Sequence, residues 1–270
     1  MSNSSETPRA LWSPLAHTAV IIPALNEEDS IGLVLDDLPP VACVVVANNG
    51  STDRTADIAT RAGCIVVDEP TAGYGRACLA GVSKVDQLVK QGLDIRYVAF
   101  VDGDYSDHPQ ELVEMLRVLC DDQCDFVLGS RIHARRDPGA MPPQAVWGNW
   151  LACHLMRILW KTNYTDLGPF RVIGYEQLLR LNMQDLNFGW TIEMQIKAKR
   201  AGLKTIEIPV PYRRRIGVSK ISGTVLGTIR AGYKILFTIA KYGWQSKFNS
   251  KAKSLKPSQE LSPVTAHKPA

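Results

Sequence analysis

A series of short apolar stretches, each closed by polar turn residues, constrains the fold of this chain more than any other feature. His17-Thr-Ala-Val-Ile-Ile-Pro23, Val41-Ala-Cys-Val-Val-Val46, Cys64-Ile-Val-Val67, the run from Val98 towards Asp102, and Asp125-Phe-Val-Leu-Gly129 all read as buried strands rich in β-branched residues. The segments between them suit helices. Ala24-Leu-Asn-Glu27-Glu28-Asp-Ser30 is expected to open a helix with acidic residues in its first turn. Ala47-Asn48-Asn49-Gly50-Ser51-Thr52-Asp53 supplies Gly and Asn for a tight turn and a Ser or Thr to cap the next helix. Strands alternating with helices predict an α/β fold with an open, mainly parallel sheet, whose ligands bind at the carboxyl ends of the strands. Most of the polar clusters fall there.

The stretch Val98-Ala-Phe-Val-Asp102-Gly-Asp104 carries the chemistry most plainly, because an apolar strand delivers two carboxylates, one residue apart, to a turn. If strand geometry persists, Asp102 and Asp104 point the same way. Oxygen ligands of this kind suit Mg²⁺ or Mn²⁺ held against a diphosphate. A strand that simply ends in an Asp-Gly turn produces the same letters, so the assignment rests on the surrounding motifs.

Taken in order, those motifs resemble the inverting family 2 glycosyltransferases of GT-A fold, and within them dolichyl-phosphate mannose synthase and the polyprenyl-phosphate glucosyltransferases. The resemblance runs from about Ala19 to Lys220. Ile22-Pro23-Ala-Leu-Asn-Glu27 is similar to the first nucleotide-binding loop, Asn48-Asn-Gly-Ser-Thr-Asp53 to the second, and Asp102-Gly-Asp104 to the Asp-x-Asp metal motif. Gly129-Ser-Arg131 resembles the start of the acceptor loop, and Arg214-Arg-Ile-Gly-Val-Ser219-Lys220 the Arg-x-x-Gly-x-Ser-Lys segment. Asp166-Leu-Gly-Pro-Phe-Arg171 is similar to Asp-x-x-Ser-Gly-Phe-Arg but one residue shorter. Asn48 stands where the family usually has Asp, which keeps an acceptor oxygen and removes the charge. The basic residue expected early in the helix after the acceptor loop is not evident around Gln144 to Gly148.

The resemblance implies a nucleotide-sugar donor, a UDP- or GDP-hexose, lying across the strand ends. Pro23, Glu27, Asn48, Asp102 and Asp104 would bind it, with Asp104 and Asp102 as the metal ligands. Arg214 and Lys220 would stabilise developing negative charge, while Arg131 and Ser219 would bind the acceptor. The reaction should invert the anomeric centre. A lipid phosphate acceptor is already ionised and needs no general base, whereas a hydroxyl would call on a carboxylate such as Asp166 or Glu193. The first expectation is hexose transfer to a polyprenyl phosphate; the second keeps the donor chemistry with a hydroxyl acceptor. A nucleotidyltransferase would want a Gly-rich loop with Arg and Lys after the first strand, and Pro23-Ala-Leu-Asn-Glu27 is not that. A non-catalytic nucleotide-sugar-binding module is disfavoured by the intact metal carboxylates.

With 270 residues, 45% hydrophobic and 21% charged, the chain can bury a sizeable core. Its cysteines follow no disulfide framework and no signal-peptide pattern precedes the first strand, so a reducing, cytoplasmic setting is expected. The expected division is a disordered tail over 1–16, one catalytic domain over 17–223, a basic amphipathic helix over 224–245 and a disordered basic tail over 246–270. Net charge is +4, yet no acidic residue lies between Glu207 and Glu260 while Arg230, Lys234 and Lys241 recur at helical spacing. Two arrangements fit that helix: it lies flat on an anionic membrane face, making the protein peripheral at the inner (cytoplasmic) surface, or it packs on the domain with a solvated basic face. A second apolar helix, about Ala145 to Lys161, carries Trp147, Trp150 and Trp160, which suit either the core or headgroup depth. No nucleic-acid partner is expected, since no recognition motif accompanies the charge.

Overall fold

The computed structural model describes residues 13–132, 135–217 and 232–245. His133, Ser219, Lys220, the expected tails up to residue 12 and from residue 246, and the 224–231 part of the amphipathic helix lie outside the described residues. Ser13–Ala16 forms a helical turn (α1) with Leu15 buried, so regular structure starts inside the stretch expected to be a tail.

Strands β1 (Thr18–Ala24), β2 (Cys43–Asn48), β3 (Ile65–Asp68), β4 (Tyr97–Phe100), β5 (Phe126–Ser130), β6 (Arg171–Gly174) and β7 (Thr205–Pro209) form a 7-stranded sheet in the order β3-β2-β1-β4-β6-β5-β7. All pairings are parallel except those of β6 with β4 and β5. This is the α/β, open and mainly parallel sheet expected from the sequence. β1 lies inside it and is buried along its whole length, as its unbroken apolar run requires of a strand covered on both faces. Alternation then divides its side chains between two cores. Ala19 and Ile21 face a cluster with α4 (Tyr74–Lys90), α6 (Pro143–Trp160), α7 (Tyr175–Leu181) and α8 (Trp190–Arg200). Val20 and Ile22 face one with α2 (Ile31–Asp37), α3 (Thr55–Arg61) and α5 (Leu112–Asp121). Gly81 allows the close seating of α4, since a Cβ there would meet Ile21 Cγ2 at 2.4 Å.

Local expectations changed where polar residues found tertiary partners. The helix expected from Ala24 starts only at Ile31, with no acid in its first turn. Ser30 donates to Gly103 O at 2.8 Å and does not cap the helix with its side chain, so the acidic loop is tied to the turn after β4. Ahead of α3 it is Asp53, not a Ser or Thr, that accepts the Thr55 amide, at 3.0 Å. β4 itself stops at Phe100, two residues before Asp102.

Candidate active site

At the carboxyl ends of β1 and β4 opens a cavity of about 610 Å³, walled by Pro23 to Leu25, Glu27, Asp102 to Asp104, and Arg215. Its far side comes from the start of α4, the loop at Asn187 and Phe188, and Tyr233 and Lys234 of a C-terminal helix over residues 232–245. The 185–187 loop crosses the α4 N-terminus so closely that a Cβ at Gly73, where φ is +155, would meet Leu186 O at 2.3 Å. Gly73 therefore shapes the cavity by being absent as a side chain.

Pro23, Glu27, Asp102 and Asp104 all line this cavity, although strand geometry does not carry the two aspartates there. The turn after Phe100 does, with Tyr105 at φ +61 bringing the chain round. Asp104 is buried, not set in a solvent-facing turn. Its Oδ1 accepts the Ser106 amide at 2.9 Å and the Ser106 hydroxyl at 2.5 Å, and its Oδ2 lies 3.0 Å from Arg215. Asp102 accepts the Tyr74 hydroxyl at 2.9 Å. Burial, followed by the negative charge of Asp104, pushes the Asp102 carboxyl up to about 7. Asp107, singled out by no motif, is buried beside them with neither side-chain oxygen hydrogen-bonded among the described residues, and burial drives its carboxyl well above the usual range.

Within the Arg213–Arg215 triplet the structure reassigns the roles. Arg214, which carries the motif resemblance, turns away and donates to Pro138 O at 2.9 Å. Arg215 reaches the carboxylates instead, 3.5 Å from Glu27 as well as 3.0 Å from Asp104, with its Nε buried and unbonded among the described residues. Arg213 stacks over Tyr105 at 3.4 Å and donates to Tyr105 O at 2.7 Å and Asp107 O at 2.9 Å. It staples the segment after β7 onto the aspartate turn.

Arg131 and Asp166 face each other. Nε–Oδ2 and Nη2–Oδ1 are both 2.8 Å, the Arg131 amide adds a third 2.8 Å bond, and the side chains are 13% and 1% exposed. Burial alone would raise the Asp166 pKa, but the Arg131 guanidinium and its hydrogen bonds hold it below the ordinary carboxylate value. Asp166 is thus a poor proton acceptor. Its loop is held from three sides. Asn149 of α6 bonds Thr165 O and the Leu167 amide, Gln195 of α8 donates to Asp166 O, and Glu207 of β7 accepts the Thr165 amide. Arg171 lies beneath, fully buried, its guanidinium donating to the carbonyls of Pro169, Gly168 and Thr191. Glu193, the other carboxylate considered as a base, is turned away from the main cavity. It accepts the Gln184 and Asp185 amides and pairs with Lys197 at 2.9 Å and Tyr242 at 2.6 Å.

Asn48 does not line the cavity; its neighbour Asn49 does, and fixes the 69–73 segment through Glu69 O, Thr71 O and the Gly73 amide. Asn48 is engaged by the Ser51 amide and by Asp68.

The C-terminal helix packs on the domain and exposes an apolar face at once. Thr238, Ile239 and Tyr242 are buried and Lys234 pairs with Asp185 at 3.0 Å, while Tyr233 (69%), Leu236, Phe237 and Trp244 (67%) are exposed. On α6, Trp147 (64%), Trp150 (58%) and Ile158 (64%) form an exposed stripe with His154, which stacks on Trp150 at 5.3 Å. Leu159 of α6 lies beside Gly243 of the C-terminal helix, so the two surfaces adjoin. Among the described residues no helix is long and apolar enough to cross a membrane.

The sequence profile of Glycosyl transferase family 2 matches residues 19–179, which run from the second residue of β1 through β6 and include the first two loops and both aspartates. The chain belongs to this family. An uncharacterized glycosyltransferase of Mycobacterium tuberculosis is 35% identical over 216 residues, spanning 78% of this chain and 93% of the relative. The dolichyl-phosphate hexose transferase of Haloferax volcanii is 31% identical over 206 residues, 75% of this chain and 86% of its own. Among solved structures, glucosyl-3-phosphoglycerate synthase of M. tuberculosis, crystallised with Mn²⁺, UDP and phosphoglyceric acid, superposes with a TM-score of 0.65 at 20% identity, covering 84% of this chain and 78% of that one. That likeness establishes the GT-A fold of this family 2 glycosyltransferase. Sequence reading missed Tyr74 and Arg215 at its cavity and the buried Asp107 beside the aspartates, because no motif gives any of the three a role.

Proposed function

We propose that this family 2 glycosyltransferase moves a hexose, with inversion, from a nucleotide-sugar donor to a polyprenyl phosphate at the cytoplasmic face of a membrane. The observation carrying this reading is the Arg131–Asp166 pair. Asp166 is committed to a guanidinium and Glu193 to Lys197 and Tyr242, so both carboxylates expected as a base for a hydroxyl are engaged, whereas a phosphate acceptor needs a cation and no base. Arg131, whose Nε and Nη2 hold Asp166, is the cation assigned to that phosphate, and Ser219 and Lys220 retain the acceptor and charge-stabilising roles expected from the sequence. The relative from H. volcanii, by its name a dolichyl-phosphate hexose transferase, supports the same acceptor class.

The donor side rests on Pro23, Glu27, Asp102 and Asp104. Two carboxylates at one cavity wall fit Mg²⁺ or Mn²⁺, which takes few protein ligands and completes its shell with water and phosphate. The guanidinium already seated against Asp104 indicates that the site attracts a cation. A metal held by Asp102 and Asp104 would supply Lewis-acid neutralisation of the departing nucleoside diphosphate. Arg215, in the cavity wall against Asp104, is the residue suited to pair with the diphosphate as charge builds on it, in the role expected of Arg214. Tyr74 and Ser106 hold the two carboxylates in place. The exposed aromatic stripe of α6 and the adjoining C-terminal helix suit an anionic leaflet, where the lipid acceptor resides.

The test is incubation with radiolabelled UDP- and GDP-hexoses, divalent metal, and either polyprenyl phosphate in vesicles or soluble acceptors such as phosphoglycerate and saccharides, followed by organic extraction. Label in the organic phase is expected. Label confined to a water-soluble product overturns the lipid acceptor and installs the hydroxyl one.

A further inference from the structure

We infer that Asp68, held by Asn48, supplies the carboxylate that reads the nucleotide base, and that the pair favours guanine over uracil. This rests on the proposed nucleotide-sugar donor and adds to it a specificity-determining residue. Asn48 ends β2 in register with Ala24 on β1 and with Asp68 on β3, so the three side chains share one face of the sheet. Ala24 lines the cavity, and Asn48 and Asp68, beyond its lining, continue the row outward to the edge strand.

The hydrogen bonds fix which atoms the row presents. Ser51 N–H can only donate, so the Asn48 oxygen faces it at 3.1 Å. Asn48 Nδ2 then faces Asp68 Oδ1 at 2.8 Å. One Nδ2 hydrogen remains, beside the second oxygen of the exposed Asp68 carboxylate. A base edge approaching the row meets a donor followed by two acceptors. Guanine presents the complement, with the O6 acceptor followed by the N1–H and N2–H donors. Uracil presents O4, N3–H and O2, which sets its last carbonyl against a carboxylate oxygen. The charge missing at Asn48 is thus supplied one strand further out, where it meets two donors rather than one.

Asp68 is exposed on an edge strand, so its substitution tests recognition with little demand on folding, which melting curves verify. GDP and UDP are titrated calorimetrically into the wild type, Asp68→Ala and Asp68→Asn in the presence of Mg²⁺. The wild type is expected to prefer GDP by about tenfold or more, the scale of a charge-assisted contact to a base edge. Asp68→Ala should lose that preference by weakening GDP alone. Asp68→Asn, which offers one acceptor and one donor, should weaken GDP and tighten UDP. A wild type that prefers UDP, or a GDP-to-UDP ratio unmoved in both variants, overturns the inference while leaving the nucleotide-donor reading standing. Absence of binding by either nucleotide overturns both.

Discussion

Replacing Asp166 with Asn separates a structural and positioning role for this carboxylate from a role as general base. The wild-type side chain is 1% exposed and accepts three bonds of 2.8 Å from Arg131, two from the guanidinium and one from the backbone. Asparagine keeps one oxygen, turns an NH₂ towards a guanidinium N–H, and removes the counter-charge of an arginine that is itself 13% exposed. Removing one partner of a buried pair costs about 3–5 kcal/mol, and the retained oxygen places the variant near the lower end. At roughly 2–4 °C per kcal/mol for a domain of this size, a loss near 3 kcal/mol lowers the melting temperature by about 6–12 °C. Denaturant unfolding of Asp166→Asn, Arg131→Met and the double variant completes the cycle, and the double variant should be clearly more stable than the sum of the singles predicts. Acid behaviour gives an independent reading. Because the folded pKa of Asp166 is depressed, its contribution is complete above the unfolded value of about 3.9 and is lost as pH falls through the folded one. The stability gap between wild type and Asp166→Asn should therefore be flat from about pH 5 to 8 and narrow only below about pH 4. A variant that melts with the wild type, shows additive singles and loses the acid-side limb of its pH–rate profile would refute this account and restore Asp166 as a base.

Three further outcomes follow from the geometry. Arg215→Ala should lower kcat/KM by on the order of 10²-fold, while Arg214→Ala, whose side chain points at the Pro138 carbonyl, should stay within a few-fold; equal effects would contradict the assignment of the cavity cation to Arg215. Asp104→Asn should abolish transfer as completely as excess chelator does. Because Asp104 is buried and bonded to Ser106 and Arg215, the same variant should also melt measurably lower, and full activity would remove it from the metal site. Trp147→Ala combined with Trp150→Ala should weaken sedimentation with anionic vesicles and leave the melting temperature unchanged, since both rings are more than half exposed; unchanged sedimentation would sink the membrane role of α6.

What could be read from the sequence here is what short-range physics writes locally. Apolar runs with β-branched residues located β1 to β5 to within a few residues, because alternate burial on both faces of a covered sheet leaves a local signature. Tryptophans at helical spacing located α6, and turn residues located the loops at the strand ends. β6 and β7 escaped notice: one begins with the buried Arg171 and the other alternates around Glu207, so neither reads as an apolar run. Pro23, Glu27, Asp102 and Asp104 were marked by the motifs that carry the family resemblance and do converge on one cavity. Tertiary structure alone decided which partner each charge meets. Arg131 and Asp166 stand 35 residues apart, Tyr74 and Asp102 28 apart, and Glu27 and Arg215 188 apart. Periodicity carries no information at such separations. The choice of Arg215 over Arg214 turns on one residue's rotation in an irregular segment after β7, where no helical or strand period dictates direction. Pairing of buried charges is set by the whole packed core, through the cost of leaving any one of them alone.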